Sequence, residues 1–261
     1  MTATPSTVNA PTIYGGERAK GIFKKSLDGK PLITIITVVY NGEKYLRETI
    51  QSVINQTYDN IEYIIIDGGS TDGTLDMIRK YEDKIDYWIS EKDRGIYDAM
   101  NKGWEAANEF GKILFLGAGD KILSLPNIES LKEFPTDIFY GSVDLEHKIF
   151  HSRANWTLKL GNTLHHQALL IPKNIYPEKP FDLTFKVYSD YDFNLRLYML
   201  GATFQFSEGF KAYALPDGLS SAFDVNEMSL VSKKNCGSIW AALSRLYFKL
   251  SPIIKKISSR P

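Results

Sequence analysis

The sequence predicts an α/β protein built on a doubly wound, mostly parallel sheet. Apolar strands, amphipathic helices and short loops alternate along residues 31–120, which is the pattern of right-handed parallel connections. The strands are continuous apolar runs, as expected where helices cover both faces of a sheet. Polar clusters follow three of the strands, and the carboxyl ends of parallel strands share one edge. We therefore expect these clusters to meet at the ligand-binding edge.

The elements of the first half follow from apolar runs and apolar stripes. The runs predict strands at 32–40, 61–66, 85–89 and 112–116. Stripes at helical spacing predict helices after the first two strands and a third helix over 99–109. Ser70 or Thr71 is expected to cap the second helix by accepting from its free N–H groups. The polar clusters at the strand ends are Tyr40-Asn41, Asp67-Gly68-Gly69-Ser70 and Gly119-Asp120.

The second half and the two ends of the chain are less regular. We predict strands at 138–143 and 168–171 and a helix at 189–200. Residues 1–30, rich in Thr, Ser, Pro and Gly, are expected to form a loosely ordered arm. Residues 223–261 are expected to form a basic amphipathic helical tail, in which no acidic residue follows position 228. Such a tail fits packing on the body or contact with an anionic membrane, which the long acid-free span favours.

The composition excludes several classes of protein. The 261 residues are 43% hydrophobic and 24% charged, which rules out disordered, collagen-like and coiled-coil chains. The formal net charge of zero argues against nucleic acid as a partner, because phosphate binding normally needs a basic surplus. One cysteine, the lack of a secretion signal and the lack of an early membrane-spanning run favour a cytoplasmic protein.

Two loops of the first half carry residues suited to a ligand. Glycines in the loop at 67–74 let a ligand approach the backbone, but helix capping explains its hydroxyls and carboxylates as well. The loop matches neither the dinucleotide nor the triphosphate glycine pattern. Asp120 is suited to a divalent cation, or it is an ordinary turn aspartate. The residues alone leave both questions open.

Further candidate residues lie in the second half. Asp190 starts a predicted helix and is suited to general base catalysis, although an aspartate that stabilises the helix dipole explains it as well. Asp192 is expected to form a surface ion pair with Arg196, four residues later. His165 and His166 are not expected to bind metal, because no cysteine or carboxylate lies nearby at ligand spacing.

Taken together and in order, these motifs resemble family 2 glycosyltransferases of the GT-A fold, and within them bacterial enzymes of surface-polysaccharide assembly. The resemblance covers about residues 31–215, with motifs at 35–41, 52–58, 67–74, 93–103, 116–120 and 189–196. It implies a GT-A domain at 31–222, which comprises a Rossmann-like nucleotide-sugar half at 31–120 and an acceptor half at 121–222. The helical tail at 223–261 follows.

The chain departs from the family pattern at three positions. Gly68 replaces the second aspartate of the nucleotide loop, so the expected contact to uridine is missing and guanosine- or thymidine-linked donors stay open. Gly119 replaces one aspartate of the metal loop and leaves Asp120. Ser189 replaces a glutamate, while Asp190 keeps the place of the catalytic base.

The resemblance implies inverting transfer of a sugar from a nucleoside diphosphate to a hydroxyl of a saccharide, expected to be lipid-linked. Asp190 is the implied base, and Asp120 the implied ligand of Mg²⁺ or Mn²⁺. His166 and Gln167 are expected on the acceptor side. The donor-binding residues are expected to be Val38, Tyr40, Asn41, Asp67, Gly68, Asp98, Asn101 and Lys102. Because attack comes from the opposite face, one carboxylate suffices.

Two alternatives belong to other classes. The first is a noncatalytic relative that binds sugar nucleotides, which the loss of one aspartate from each of the two acidic motifs, at Gly68 and Gly119, would fit. A nucleotidyltransferase would need a basic, glycine-rich loop after the first strand, where this chain has Tyr40-Asn41-Gly42-Glu43. Under the transferase interpretation, we expect the protein in the cytoplasm, at the inner face of the cell membrane.

Overall fold

A computed structural model describes residues 12–216 and 224–258, with side chains described as far as residue 250. The strands are β1 (Ile13–Gly15), β2 (Ile33–Val39), β3 (Ile61–Asp67), β4 (Tyr87–Ser90), β5 (Lys112–Gly117), β6 (Lys121–Ser124), β7 (Ile138–Asp144), β8 (Ile149–His151), β9 (Leu169–Pro172) and β10 (Phe204–Tyr213). The helices are α1 (Glu43–Ile54), α2 (Thr74–Lys80), α3 (Ile96–Ala106), α4 (Ile128–Glu133), α5 (Ser189–Met199), α6 (Val225–Cys236) and α7 (Ser238–Ser258).

The strands form one mixed sheet in the order β1-β4-β3-β2-β5-β9-β7-β10-β6, and β8 pairs with β7. Its centre, β4-β3-β2-β5, is parallel as predicted. Alternate strand residues face opposite sides because side chains alternate along a strand. Ile36 and Ile64 pack in one apolar core with α3 and α5, whereas Ile35 and Ile65 pack in the other with α1 and α2. The continuous apolar runs therefore form a doubly wound sheet.

The second half continues the same sheet in mixed directions. β9 lies between β5 and β7 and is antiparallel to both. β10 is parallel to β7, and β6 is antiparallel to β10. The prediction of a mixed second half is confirmed, and β9 connects it directly to the parallel centre.

Residues 12–30 are not the loosely ordered arm that the sequence predicted. β1 pairs with β4, whose edge otherwise leaves backbone groups unpaired. Arg18 donates a hydrogen bond to the carbonyl oxygen of Ala106 at 2.7 Å and forms an ion pair with Glu62. The Glu62 side chain is 1% exposed, so the loss of Arg18 would leave a buried charge without its counterion. The segment is therefore held to the body by specific contacts.

Two predicted element boundaries differ from the structure. α2 begins at Thr74, whose N–H donates to Asp72 Oδ1 at 3.0 Å, so neither Ser70 nor Thr71 caps the helix. α3 begins at Ile96 and not at residue 99. Gly95 precedes it with φ 113°, a conformation that glycine adopts without strain.

The predicted tail is helical, and much of it packs on the body. Met228 and Val231 of α6 are buried in the core, and Glu227 accepts backbone N–H bonds from Val187 and Tyr188, both 2.7 Å. One face of α7 also packs, since Ser244 donates to the carbonyl oxygen of Leu160 at 2.6 Å. The opposite face of α7 is exposed at Ile239, Leu243, Leu246, Tyr247 and Leu250. Within 12–216 and 224–258, no helix has the length and apolar content to cross a membrane.

Candidate active site

The loops after β2 and β3 are tied together by side-chain hydrogen bonds. The Asn41 N–H donates to Ser70 Oγ at 2.7 Å, and the Thr71 N–H donates back to Asn41 Oδ1 at 2.8 Å. The Gly42 N–H donates to Thr74 Oγ1 at 2.9 Å. Asn41 was predicted to bind the donor, but its side chain links the two loops instead. The loops are therefore held in one arrangement before any ligand binds.

Asp67 is the last residue of β3, and its side chain is buried against the loop that follows. Its side chain is 0% exposed, and it accepts hydrogen bonds from the Ser70 N–H at 3.1 Å, the Ser90 hydroxyl at 2.5 Å and the Ser70 hydroxyl. These donors replace water around the carboxylate, which is why its burial is tolerated. The carboxylate therefore organises the loop, and its contact with the nucleoside stays a prediction.

Two cavities open at this edge of the sheet and share Tyr40, Asp93 and Gly95. The larger has a volume of about 660 Å³ and reaches Gly68. The smaller has a volume of about 310 Å³ and reaches Val38. The Tyr40 side chain is 63% exposed and offers an aromatic face against which a planar ring can stack. The structure therefore places three of the predicted donor-binding residues beside cavities.

Three predicted donor-binding residues of α3 do not line these two cavities. Asp98 forms an ion pair with Arg94 at 2.9 Å, and Lys102 forms one with Glu91 at 2.7 Å. Asn101 makes two hydrogen bonds with the backbone of Phe181, at 2.8 and 3.0 Å. Asn101 is 4% exposed, so its amide satisfies buried backbone groups that would otherwise lack partners. These contacts anchor α3, and the donor-binding role of the three residues stays a prediction.

Asp120 is buried and surrounded by donors. Its carboxylate accepts hydrogen bonds from the Gly117 N–H at 2.8 Å, the Gln167 side-chain amide at 2.9 Å and the Leu215 N–H at 2.9 Å. In the described part of the chain, no group of three or more His, Cys, Asp or Glu residues is placed to hold a metal ion. Mg²⁺ is held in proteins by one or two carboxylates together with waters and substrate phosphates, so the described residues do not form a metal site by themselves, and the metal role of Asp120 stays a prediction.

Gln167 is also buried and hydrogen-bonded. It is 1% exposed, and besides its bond to Asp120 it forms a hydrogen bond with His165 Nδ1 at 2.6 Å. These two contacts hold the segment that leads into β9, and with it the neighbouring His166. The acceptor-side role of Gln167 stays a prediction.

Asp190 lies at the start of α5 in a cluster of polar side chains. Its oxygens lie 3.3 Å from the Tyr97 hydroxyl, 3.3 Å from His166 Nδ1 and 3.4 Å from the Asn162 amide nitrogen. The side chain is 13% exposed, and it also accepts the Tyr191 N–H at 2.8 Å. A carboxylate so oriented is suited to accept a proton from a bound hydroxyl group.

His166 is electrostatically coupled to this carboxylate. Burial by itself lowers the pKa of His166, but the hydrogen bond and charge of Asp190 and the charge of Asp120 outweigh burial, so the pKa is raised. Burial and the neighbouring His166 lower the pKa of His165. The proton therefore resides preferentially on His166, beside Asp190.

Two sets of contacts lead to the Asp190 cluster, one from the cavities and one from Asp120. Asp93, in the loop before α3, lines the cavities, and Tyr97, in the first turn of α3, contacts Asp190. Gln167 contacts Asp120, and the adjacent His166 contacts Asp190. The fold therefore gathers the predicted acidic positions at one edge of the sheet.

Asp192 forms the ion pair with Arg196 that its spacing predicted, but its carboxylate is buried and not at the surface. Its side chain is 0% exposed and forms ion pairs with Arg196 and Lys234, both at 3.0 Å. Asn235 of α6 also donates to it at 2.8 Å. The second cation and the amide come from the C-terminal helix, which spacing within α5 does not reveal. Asp192 joins α5 to α6.

Sequence reasoning missed Asp93, Tyr97 and Asn162 as residues of this edge. Asp93 and Tyr97 lie in the motif at 93–103, so the motif itself was a signal that could have identified them. Asn162 lies in an irregular segment between two short 3₁₀ helices, Trp156–Lys159 and His166–Ala168, and nothing in its sequence context indicated it.

Comparisons with known proteins place the chain among glycosyltransferases. Residues 34–120 match the family described as "Glycosyl transferase family 2". The chain is 29% identical over 180 residues to a PGL/p-HBAD biosynthesis glycosyltransferase of Mycobacterium bovis, a match that covers 64% of this chain and 70% of the relative. It is 41% identical over 97 residues to the putative teichuronic acid biosynthesis glycosyltransferase TuaG of Bacillus subtilis, over 35% of this chain and 37% of TuaG.

Two solved structures share the fold. The crystal structure of residues 1–349 of TarS from S. aureus has a TM-score of 0.61 and 18% identity, over 84% of this chain and 72% of that chain. TarS has also been solved with UDP and with UDP-GlcNAc. The mannosyltransferase PcManGT from Pyrobaculum calidifontis, in complex with GDP-Man and Mn²⁺, has a TM-score of 0.54 and 16% identity, over 89% of this chain and 76% of that chain. The architecture is therefore that of GT-A enzymes.

Proposed function

This chain is a family 2 glycosyltransferase of the GT-A fold, and we propose that it transfers a sugar from a nucleoside diphosphate to a hydroxyl of a saccharide, with inversion at the anomeric carbon. One observation carries the proposal. The Asp190 carboxylate lies within 3.4 Å of Tyr97, His166 and Asn162 at the edge where the two cavities open. Solved relatives of the fold bind UDP, UDP-GlcNAc or GDP-Man, which supports a nucleotide sugar as the donor.

In this mechanism Asp190 removes the proton of the acceptor hydroxyl as the oxygen attacks the anomeric carbon. Tyr97 and Asn162 orient the carboxylate. His166 lies on the same side and is suited to contact the acceptor. Because the nucleophile comes from the face opposite the diphosphate, no second carboxylate and no covalent sugar intermediate are needed.

A divalent cation was expected near Asp120, and PcManGT has been solved with Mn²⁺. The Asp120 carboxylate accepts three hydrogen bonds, so a cation beside it would take its other ligands from water and the diphosphate. When bound, Mg²⁺ or Mn²⁺ would neutralise the charge of the leaving diphosphate. Lys92 lines the larger cavity, and its ammonium group is suited to attract the diphosphate.

The acceptor is proposed to be a lipid-linked saccharide at the inner face of the cell membrane. The relative TuaG is named for teichuronic acid biosynthesis, which supports a surface polysaccharide. The exposed apolar face of α7 supports contact with the membrane surface, because Ile239, Leu243 and Leu246 lie on one side of the helix and Arg245 and Lys249 are exposed. Basic amphipathic helices bind anionic membranes in this way.

A thermal-shift screen tests the donor proposal. UDP-, GDP-, dTDP- and CDP-sugars are added with and without Mn²⁺, and the nucleotide that stabilises the protein is then assayed for sugar transfer and slow hydrolysis. We expect at least one sugar nucleotide to raise the Tm and to be turned over. A protein that none of them stabilises, or that binds one without any turnover, contradicts the proposal.

A further inference from the structure

Asp93 lies between β4 and α3, and its carboxylate has a free oxygen. Asp93 Oδ1 accepts a hydrogen bond from the Gly95 N–H at 2.9 Å. Among the described residues, no donor is found for Oδ2. The residue lines both cavities at the edge of the sheet. Since an ionised carboxylate accepts hydrogen bonds and donates none, a ligand in these cavities meets an unsatisfied acceptor.

This oxygen occupies the space beside Gly68. A Cβ atom placed on Gly68 would lie 2.3 Å from Asp93 Oδ2, closer than two such atoms can approach. A side chain at position 68 and the present position of Asp93 therefore exclude each other. The space beside Gly68 therefore holds one carboxylate, that of Asp93. It comes from the loop after β4 and not from the loop after β3.

Asp67 does not compete for this role. Its carboxylate is 0% exposed and is occupied by Ser70 and Ser90. Tyr40 lines the same two cavities and offers an aromatic face beside the free acceptor. A planar ring that carries an N–H on its edge would satisfy both groups at once.

We propose that Asp93 selects the base of the donor nucleotide by accepting the ring N–H of uracil, thymine or guanine. The inference rests on the proposed function, which puts a nucleoside diphosphate in these cavities. Uracil and thymine present N3–H, and guanine presents N1–H. Cytosine and adenine carry a lone pair at the corresponding ring nitrogen, which would face the carboxylate and be repelled. A site built to hydrogen-bond the ring N–H of a ligand discriminates against rings that lack it.

The test compares dissociation constants of UDP, dTDP, GDP, CDP and ADP for the wild type and Asp93→Asn by calorimetry. Asparagine keeps the shape and the bond to the Gly95 N–H but loses the negative acceptor. We expect the wild type to prefer one or more of UDP, dTDP and GDP over CDP and ADP by at least about 10-fold. The variant should lose most of this preference, and the five nucleotides identify the base. Asp83→Asn, whose carboxylate is 68% exposed, is the control and should bind as the wild type does.

A contact of Asp93 with ribose or phosphate predicts a different result, since all five nucleotides would then weaken by the same factor. An equal loss, or no change, overturns the inference while leaving the proposed function intact. If the wild type binds none of the five nucleotides, the proposed function fails as well.

A variant in which the residues at positions 68 and 93 are exchanged tests the position of the carboxylate. Gly68→Asp alone should weaken binding, because the new side chain meets Asp93. The double variant Gly68→Asp/Asp93→Gly returns one carboxylate to the same space and should recover the wild-type base preference. Thermal unfolding confirms that each variant is folded. A folded double variant without this preference contradicts the assignment.

Discussion

The buried carboxylate of Asp120 accepts a hydrogen bond of 2.9 Å from the side-chain amide of Gln167. This bond joins the loop after β5 to the segment that leads into β9. It thereby fixes the backbone on which His166 reaches Asp190 at 3.3 Å. An aspartate whose motif suggested metal binding thus positions the polar cluster around the base.

Asp120→Asn should destabilise the protein. The amide nitrogen of asparagine cannot accept from the Gly117 or Leu215 N–H, so we expect a loss of about 1–3 kcal/mol in the free energy of unfolding. Denaturant unfolding measures this loss, which should be the same with EDTA and with Mn²⁺. If EDTA weakens donor binding of the wild type but not of the variant, Asp120 is a metal ligand after all.

Asp190→Asn should abolish the base while preserving donor binding. We expect kcat to fall by roughly 10²-fold or more, with little change in the KM for the donor, because the amide cannot take the proton of the acceptor hydroxyl. Steady-state assays with the nucleotide sugar found in the screen measure both values. Asp76→Asn, whose carboxylate is 87% exposed, serves as the control. Near-normal kcat in Asp190→Asn would remove this residue from the mechanism.

His166 should make stability depend on pH. Because its pKa is raised in the folded protein by Asp190 and Asp120, the folded state holds the proton more tightly than the unfolded state does. The resulting stabilisation is fully present below about pH 6.5, the unfolded pKa, and is lost as pH rises through the folded pKa.

The free energy of unfolding, compared between wild type and His166→Asn from pH 5 to 9, measures this effect. The difference should be largest near pH 5–6 and should shrink at higher pH. His147→Asn, a histidine whose side chain is 88% exposed, should show no such trend. A difference that stays constant across the range contradicts the expectation.

Arg18→Ala should destabilise the body of the protein. The substitution leaves Glu62, 1% exposed, without its cation, and breaking a buried pair in this way costs about 3–5 kcal/mol. Lys20→Ala, which removes an exposed pair with Glu17, should change stability by less than about 0.5 kcal/mol. Chemical denaturation of both variants provides the comparison. Equal, small effects would mean that residues 12–30 contribute little to the fold.

Leu246→Glu should weaken binding to anionic vesicles. Leu246 is 51% exposed on the outer face of α7, where a carboxylate would be repelled by acidic lipids and disfavoured in the apolar layer. Cosedimentation with phosphatidylglycerol vesicles and with neutral vesicles measures binding. Leu200→Glu is the control, because Leu200 is 72% exposed and lies at the C-terminal end of α5. Equal sedimentation of both variants and the wild type argues for a packed tail that does not touch membrane.

The sequence by itself determined the parallel centre of the sheet and most helices, because apolar runs and stripes are local patterns. β2 and β3 are buried at every position, and their runs of β-branched residues predicted this. β10 was not predicted, since its exposed and buried residues alternate irregularly around a shift in register.

Only the tertiary structure decided what each acidic residue does. Asp67, Asp93 and Asp120 all follow strands and are chemically alike, yet two are enclosed by donors and one keeps a free oxygen at a cavity. The partners that enclose Asp120 and Glu62 come from segments 47 and 44 residues away. Burial and hydrogen bonding depend on such distant contacts, and these fix whether a carboxylate supports the fold or faces a ligand.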